Sequence, residues 1–211
     1  MVVRLFFFNR TKPRLGFHTP LPRLGFNIPL KDKMRLTRHS HRPAHIYKDN
    51  SPYFITASVC NHRKLLDDKL KTQLEDILCC VYREFGWDLH HWVILDNHYH
   101  LLCQSKIGED LIKIMNKTHN LSAQLVKAKW GLKQKVWSNY WDYCPRNERD
   151  YNIRLCYLLN NPYKHGYVTH LKDWQWSSFR FITATTELDN LRAQFREFVE
   201  FRSLELEEDS F

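Results

Sequence analysis

The chain has 211 residues, a net charge of +9, 43% hydrophobic and 14% aromatic side chains. That is enough apolar material for a core in one domain with extensions, and it excludes disorder throughout. No apolar run approaches the roughly 18 residues of a membrane span. Met1 to Phe8 is too short for a signal peptide's apolar core, so a soluble cytoplasmic protein is expected. The six cysteines show no C-x-x-C spacing and sit in hydrophobic segments, which reads as buried free thiols.

Charge is unevenly placed. Residues 1–50 hold 11 Lys or Arg against 2 Asp or Glu, whereas residues 181–211 hold 3 against 8. A basic arm, a moderately basic middle and an acidic tail suit a polyanion partner, or else describe solvated termini. Within the arm, Pro13-Arg-Leu-Gly-Phe17 recurs as Pro22-Arg-Leu-Gly-Phe26, too rich in Pro and Gly for a packed repeat. Residues 1–46 are read as a poorly ordered arm. A translation start at Met34 is the preferred explanation of the repeat.

Regular structure is expected from Tyr53 to Cys60, a β-branched and aromatic strand. Leu70, Leu74, Ile77, Leu78, Val81 and Phe85 then mark one face of a helix closed by Gly86. Strands follow at Asp88 to Leu95 and His98 to Gln104, joined by an Asp96-Asn97 turn. A second helix is expected from Gly108 to Trp130, with Leu111, Ile114, Met115, His119, Leu121 and Leu125 inward. A fourth strand covers Lys135 to Trp141, and a last helix runs from Asn147 until Pro162 stops it. The order β-α-β-β-α-β plus one helix is the α+β, ferredoxin-like plan, spanning residues 47–185. Residues 186–211 form an acidic amphipathic tail with Leu191, Phe195, Phe198 and Phe201 on one side. Laid over a basic groove, that tail would act as a self-inhibitor.

Chemistry concentrates in two places. His98 and His100 are two apart on a strand, so both imidazoles face one way and could share a cation. Twelve histidines in 211 residues give roughly 0.7 such pairs by chance, and His39/His41 is another, so the pair alone carries little. Tyr157 and Asn161 are four apart on the last helix, one turn from each other. The amide oxygen of Asn161 suits Mg²⁺ or Mn²⁺. Taken alone, the pair reads rather as a core aromatic at Tyr157 and a helix end before proline at Asn161.

In combination these segments resemble the single-tyrosine HUH transposases, in particular the REP-associated tyrosine transposases. The motifs, in order, are Tyr53-Phe-Ile-Thr56, Asp96-Asn-His-Tyr-His-Leu-Leu102, Val136-Trp-Ser-Asn-Tyr-Trp-Asp142, Arg146-Asn-Glu-Arg149, Tyr157-Leu-Leu-Asn-Asn-Pro162 and Trp176-Ser-Ser178. The family usually has Pro where this chain has Asp96, and small or aliphatic residues where it has Tyr163-Lys-His165-Gly166. The resemblance implies Tyr157 as nucleophile, with Tyr151 and Tyr163 as rivals, and His98, His100 and Asn161 as ligands of a divalent metal, Mg²⁺ or Mn²⁺. It implies nicking and strand transfer on single-stranded or hairpin DNA through a 5′-phosphotyrosine. A monomer is favoured over the dimer of insertion-sequence relatives.

DNA contacts are expected from Arg38 and Arg42 in the arm and from Lys127, Lys129, Lys133 and Lys135. Trp130, Trp137 and Trp141 lie nearby, and at least two of the three are expected in the core. Two other functions compete. One is a hairpin-binding protein that no longer cuts; the other is a plasmid replication or transfer initiator, disfavoured because no helicase-like region is present.

Overall fold

Residues 47–182, 185–204 and 206 are described in a computed structural model of the protein; the basic arm with Arg38, Arg42 and Met34 lies outside them. Four strands, β1 (Pro52–Val59), β2 (Asp88–Ile94), β3 (His98–Gln104) and β4 (Trp137–Tyr143), form one sheet in the order β2-β3-β1-β4. All three pairings are antiparallel. With helices α1 (Asp68–Glu84) and α2 (Leu111–Trp130) following β1 and β3, this is the expected α+β, ferredoxin-like topology. Two more helices follow, α3 (Glu148–Lys164) and α4 (Thr185–Glu197).

β1 sits between β3 and β4 with helices over both faces, so nearly its whole length is buried and polar alternation is absent. β3 shows how the faces divide. Tyr99 bonds His119 of α2 on one side, while His98 and His100 meet Asn161 and Tyr157 of α3 on the other. α1 begins at Asp67, whose carboxylate caps the Leu70 amide at 3.0 Å.

Three departures from the sequence reading have physical causes. In α2, Leu121 is exposed, and the inward stripe instead includes Thr118 and Ser122. Ser122 is tolerated inside because its hydroxyl accepts the Trp137 indole N–H at 2.9 Å and donates to the Thr118 carbonyl at 2.7 Å. β4 begins and ends two residues later than expected, around a bulge. Finally, α3 does not stop at Pro162 but continues through Lys164. Proline in the last turn forfeits its own bond to the turn before, while the Asn161 carbonyl still accepts the His165 amide at 3.0 Å. The true stop is Gly166, which holds a left-handed φ of 71°.

α4 packs against α3 through Leu191, and the following turn buries Phe198 and Phe201. All six cysteines are unpaired thiols; Cys103 and Cys156 are buried, but Cys80, expected inside, is exposed because it falls on the outer face of α1. Among the described residues no helix is long and apolar enough to cross a membrane.

Candidate active site on the α3 face

The site is built where β3 and β1 face α3. His98 and His100 point the same way by strand alternation, and His100 sits opposite Thr56 in the β1–β3 register. The Thr56 hydroxyl and His100 Nδ1 are 2.8 Å apart in a buried contact. Phe54, two residues before Thr56, stacks on the His100 ring with centroids 5.5 Å apart. From α3, Tyr157 meets His100 edge to face at 5.5 Å, and Asn161 Oδ1 lies 3.1 Å from His98 Nε2. The sequence-predicted residues Tyr157, Asn161, His98 and His100 therefore come together in one buried cluster.

His98 is held from behind by the turn that precedes it. Asn97 donates Nδ2–H to the His62 carbonyl at 3.2 Å, which turns its Oδ1 toward His98 Nδ1 at 2.8 Å. Burial, reinforced by the nearby His165, lowers the His98 pKa to about 3, so the ring is neutral and carries one proton. That proton belongs on Nδ1, where it is donated to Asn97. Nε2 then presents its lone pair toward Asn161 Oδ1, itself an acceptor. Burial likewise drives His100 far below its ordinary value, with His98 and His165 adding to the shift.

Two facing acceptors repel unless a cation lies between them or the amide turns over. Their 3.1 Å spacing matches the edge of an octahedron with bonds of about 2.1 Å, roughly 3 Å. Neutral imidazole and amide oxygen are donors that Mn²⁺ or Mg²⁺ accepts, so these residues fit a divalent cation. Among the described residues no three His, Cys, Asp or Glu side chains cluster as a metal site, and the donor beside His98 Nε2 is the amide oxygen of Asn161.

The rival tyrosines go elsewhere. Tyr151 is buried against β2 with its hydroxyl 3.1 Å from His90 Nδ1, and Tyr163 is 58% exposed on the outer side of α3. Two site residues escaped the sequence reading. Lys164 donates to the Tyr157 hydroxyl at 3.3 Å, and the His165 ring lies 5.3 Å from that of His98. Both were hidden by taking Pro162 as the helix end. Had the helix been carried on, Tyr157, Asn161, Lys164 and His165 would have read as i, i+4, i+7 and i+8 on one face.

The lysines proposed for DNA divide. Lys127 and Lys135 line a cavity between α2 and β4. Lys129 pairs with Asp67 and covers Trp130, and Lys133 is exposed. Of the three tryptophans only Trp137 is buried; Trp130 is 47% and Trp141 37% exposed, contrary to the expectation of two in the core. Both exposed rings sit past the packed stripes of their elements, at the end of α2 and on the edge strand β4.

Comparison with known proteins finds relatives of this chain. A family model described as "Transposase IS200 like" matches residues 48–144, ending before α3. The REP-associated tyrosine transposase of Escherichia coli (strain K12) is 28% identical over 133 residues, covering 63% of this chain and 79% of that one. A Haemophilus influenzae (Rd) relative, provisionally given the same name, is 30% identical, covering 54% of this chain and 76% of that one. A solved REP-associated tyrosine transposase bound to a REP hairpin superposes with a TM-score of 0.57 at 26% identity, over 66% of this chain and 83% of that chain.

Proposed function

Because this chain belongs to the REP-associated tyrosine transposases, we propose that it nicks and rejoins single-stranded DNA beside hairpin-forming repeats, using Tyr157 as nucleophile. The observation that carries this reading is the convergence of Tyr157 and Asn161 from α3 upon His98 and His100 from β3. His98, His100, Tyr157 and Asn161 of a single chain meet without a residue from a second copy, which supports a monomeric site.

The reaction balances without ATP or water. Tyr157 Oη forms a bond to the scissile phosphorus as the bond from phosphorus to the 3′-oxygen breaks. The phenolic proton is lost, and the departing oxygen takes one to become a 3′-hydroxyl. The 5′-phosphotyrosine retains the energy of the original linkage, so a 3′-hydroxyl on another strand can reverse the step. Within the chain, the ammonium of Lys164 beside the Tyr157 oxygen stabilises negative charge there when the phenol is deprotonated and when it later leaves. His98, His100 and Asn161 would hold the divalent cation, which supplies charge to polarise and orient the phosphate. Asn97 and Thr56 keep the two imidazoles aimed.

The test is a denaturing gel. Full-length protein is incubated with Mn²⁺ or Mg²⁺ and a labelled hairpin drawn from the repeats flanking its gene. A protein–DNA adduct is expected from the wild type and from neither Tyr157→Phe nor His100→Ala. Tight hairpin binding with no wild-type adduct would instead support a binding protein that does not cut.

A further inference from the structure

The face of the sheet opposite Tyr157 contains a cavity of about 340 Å³ between α2 and the edge strand β4, within the size range of small-ligand pockets. Its lining is polar and aromatic together. Asn116, Asn120 and Lys127 lie along one stripe of α2, and Lys135 stands just before β4. The floor is an aromatic corner in which the His119 ring lies flat on Trp137, with centroids 4.8 Å apart and planes 9° apart. Tyr140 meets His119 edge to face at 6.3 Å.

Strand alternation alone forbids that corner, because residues three apart on a strand face opposite ways. The bulge resolves it. Ala57 pairs with Tyr140 while Val59 pairs with Trp137, so β4 spends one extra residue opposite Ser58. That residue turns Tyr140 onto the side of Trp137. Bulges that re-aim a side chain recur beside functional sites. His119 is also committed, with its Nε2 2.9 Å from the Tyr99 hydroxyl and its pKa lowered to about 3 by burial and by Lys135. It contributes a neutral stacking surface, and the positive charge at the rim belongs to the two lysines.

Aromatic faces for a base, carboxamides for its edge and paired ammonium groups for its phosphate describe a nucleotide. We infer that this cavity binds one unpaired nucleotide of the DNA substrate, its base against the His119 and Tyr140 rings, which the buried Trp137 backs, and its phosphate between Lys127 and Lys135. The identity of the ligand rests on the transposase reading, whereas the pocket itself does not depend on cleavage.

Binding can therefore be measured apart from chemistry, by fluorescence anisotropy with full-length protein carrying Tyr157→Phe. Two labelled DNAs are compared, a blunt hairpin and the same hairpin with single-stranded extensions. Asn120→Leu, on the solvent side of α2, is expected to weaken the extended DNA about 10-fold and to leave the blunt hairpin within two-fold. An abasic site at one extension position should reproduce that loss and add nothing to it in Asn120→Leu. Lys135→Gln should lower the salt dependence of extended-DNA binding by about one counterion. Equal weakening of both DNAs, or no change in either, overturns the pocket even if Tyr157 forms its adduct. Selective loss with no wild-type adduct leaves the pocket standing and overturns the cleavage reading. Failure of both DNAs to bind the parent protein overturns both.

Discussion

In the proposed metal site a ligating imidazole needs its proton on the far nitrogen, and for His98 the contact with Asn97 keeps it there. Its amide is itself oriented by the His62 carbonyl, so a chain of two hydrogen bonds fixes the tautomer of His98. Replacing it by Leu frees the proton to move to Nε2, where it competes with the cation. Asn97→Leu should weaken Mn²⁺ binding about 10- to 100-fold, read as a loss of the Mn²⁺-induced rise in melting temperature. An undiminished rise would show that the tautomer is set by something else. Lys164 acts at the other end of the site. Lys164→Ala should slow adduct formation by on the order of 10- to 100-fold while hairpin affinity changes far less, a split that a merely structural lysine would not produce. Asp96, which replaces the family's usual proline, has its own explanation. It pairs at 2.8 Å with the buried Lys71, whose ammonium also lies 3.9 Å from the Trp176 ring centroid.

At the scale of elements, the β-α-β-β-α-β order and the H-x-H strand were legible because their signals are local: alternation, helical stripes and a turn at Asp96-Asn97. What was hidden depends on partners distant in sequence. Ser122 is tolerated inside because Trp137, on β4, needs an acceptor. The bulge in β4 leaves no compositional mark, since Ser138 and Asn139 resemble any polar strand residues. Pro162 was misread because proline forbids helix in general, but in a final turn it costs one hydrogen bond. The left-handed Gly166 was the better terminus. Gly166→Ala should destabilise the protein by about 1 kcal/mol through backbone strain alone, since open space surrounds the added Cβ. A urea midpoint equal to wild type would contradict the strain.

For the molecule as a whole, the described part of the acidic tail packs as a buttress of α3. Leu191, Phe198 and Phe201 are buried, and Arg149 of α3 pairs with Glu200. Deleting residues 186–211 should strip the outer side of α3, lowering the melting temperature and adduct yield together; increased cleavage would restore the inhibitor idea. Acid sensitivity is also a global property. His91 and His119 are buried and held near a pKa of about 3, chiefly by desolvation, whereas the unfolded chain titrates them at 6.5. Below 6.5 the unfolded state takes up protons that the folded state refuses, so stability falls as pH drops toward 3. Urea midpoints should be lower at pH 5 than at pH 7, with a shallower drop in His119→Gln; equal midpoints would mean that these rings protonate in place.

β4 ends the sheet, and that border has a geometric consequence. The tyrosine and the nucleotide cavity lie on opposite faces, back to back through one layer of strands. A single DNA strand that serves both has to turn around the rim at β4. The protein then works as a ruler: oligonucleotides too short to make the turn fill one face or the other, and longer ones fill both. Plotted against extension length, affinity should rise in two steps, and the length at the second step is the contour of the path around the sheet.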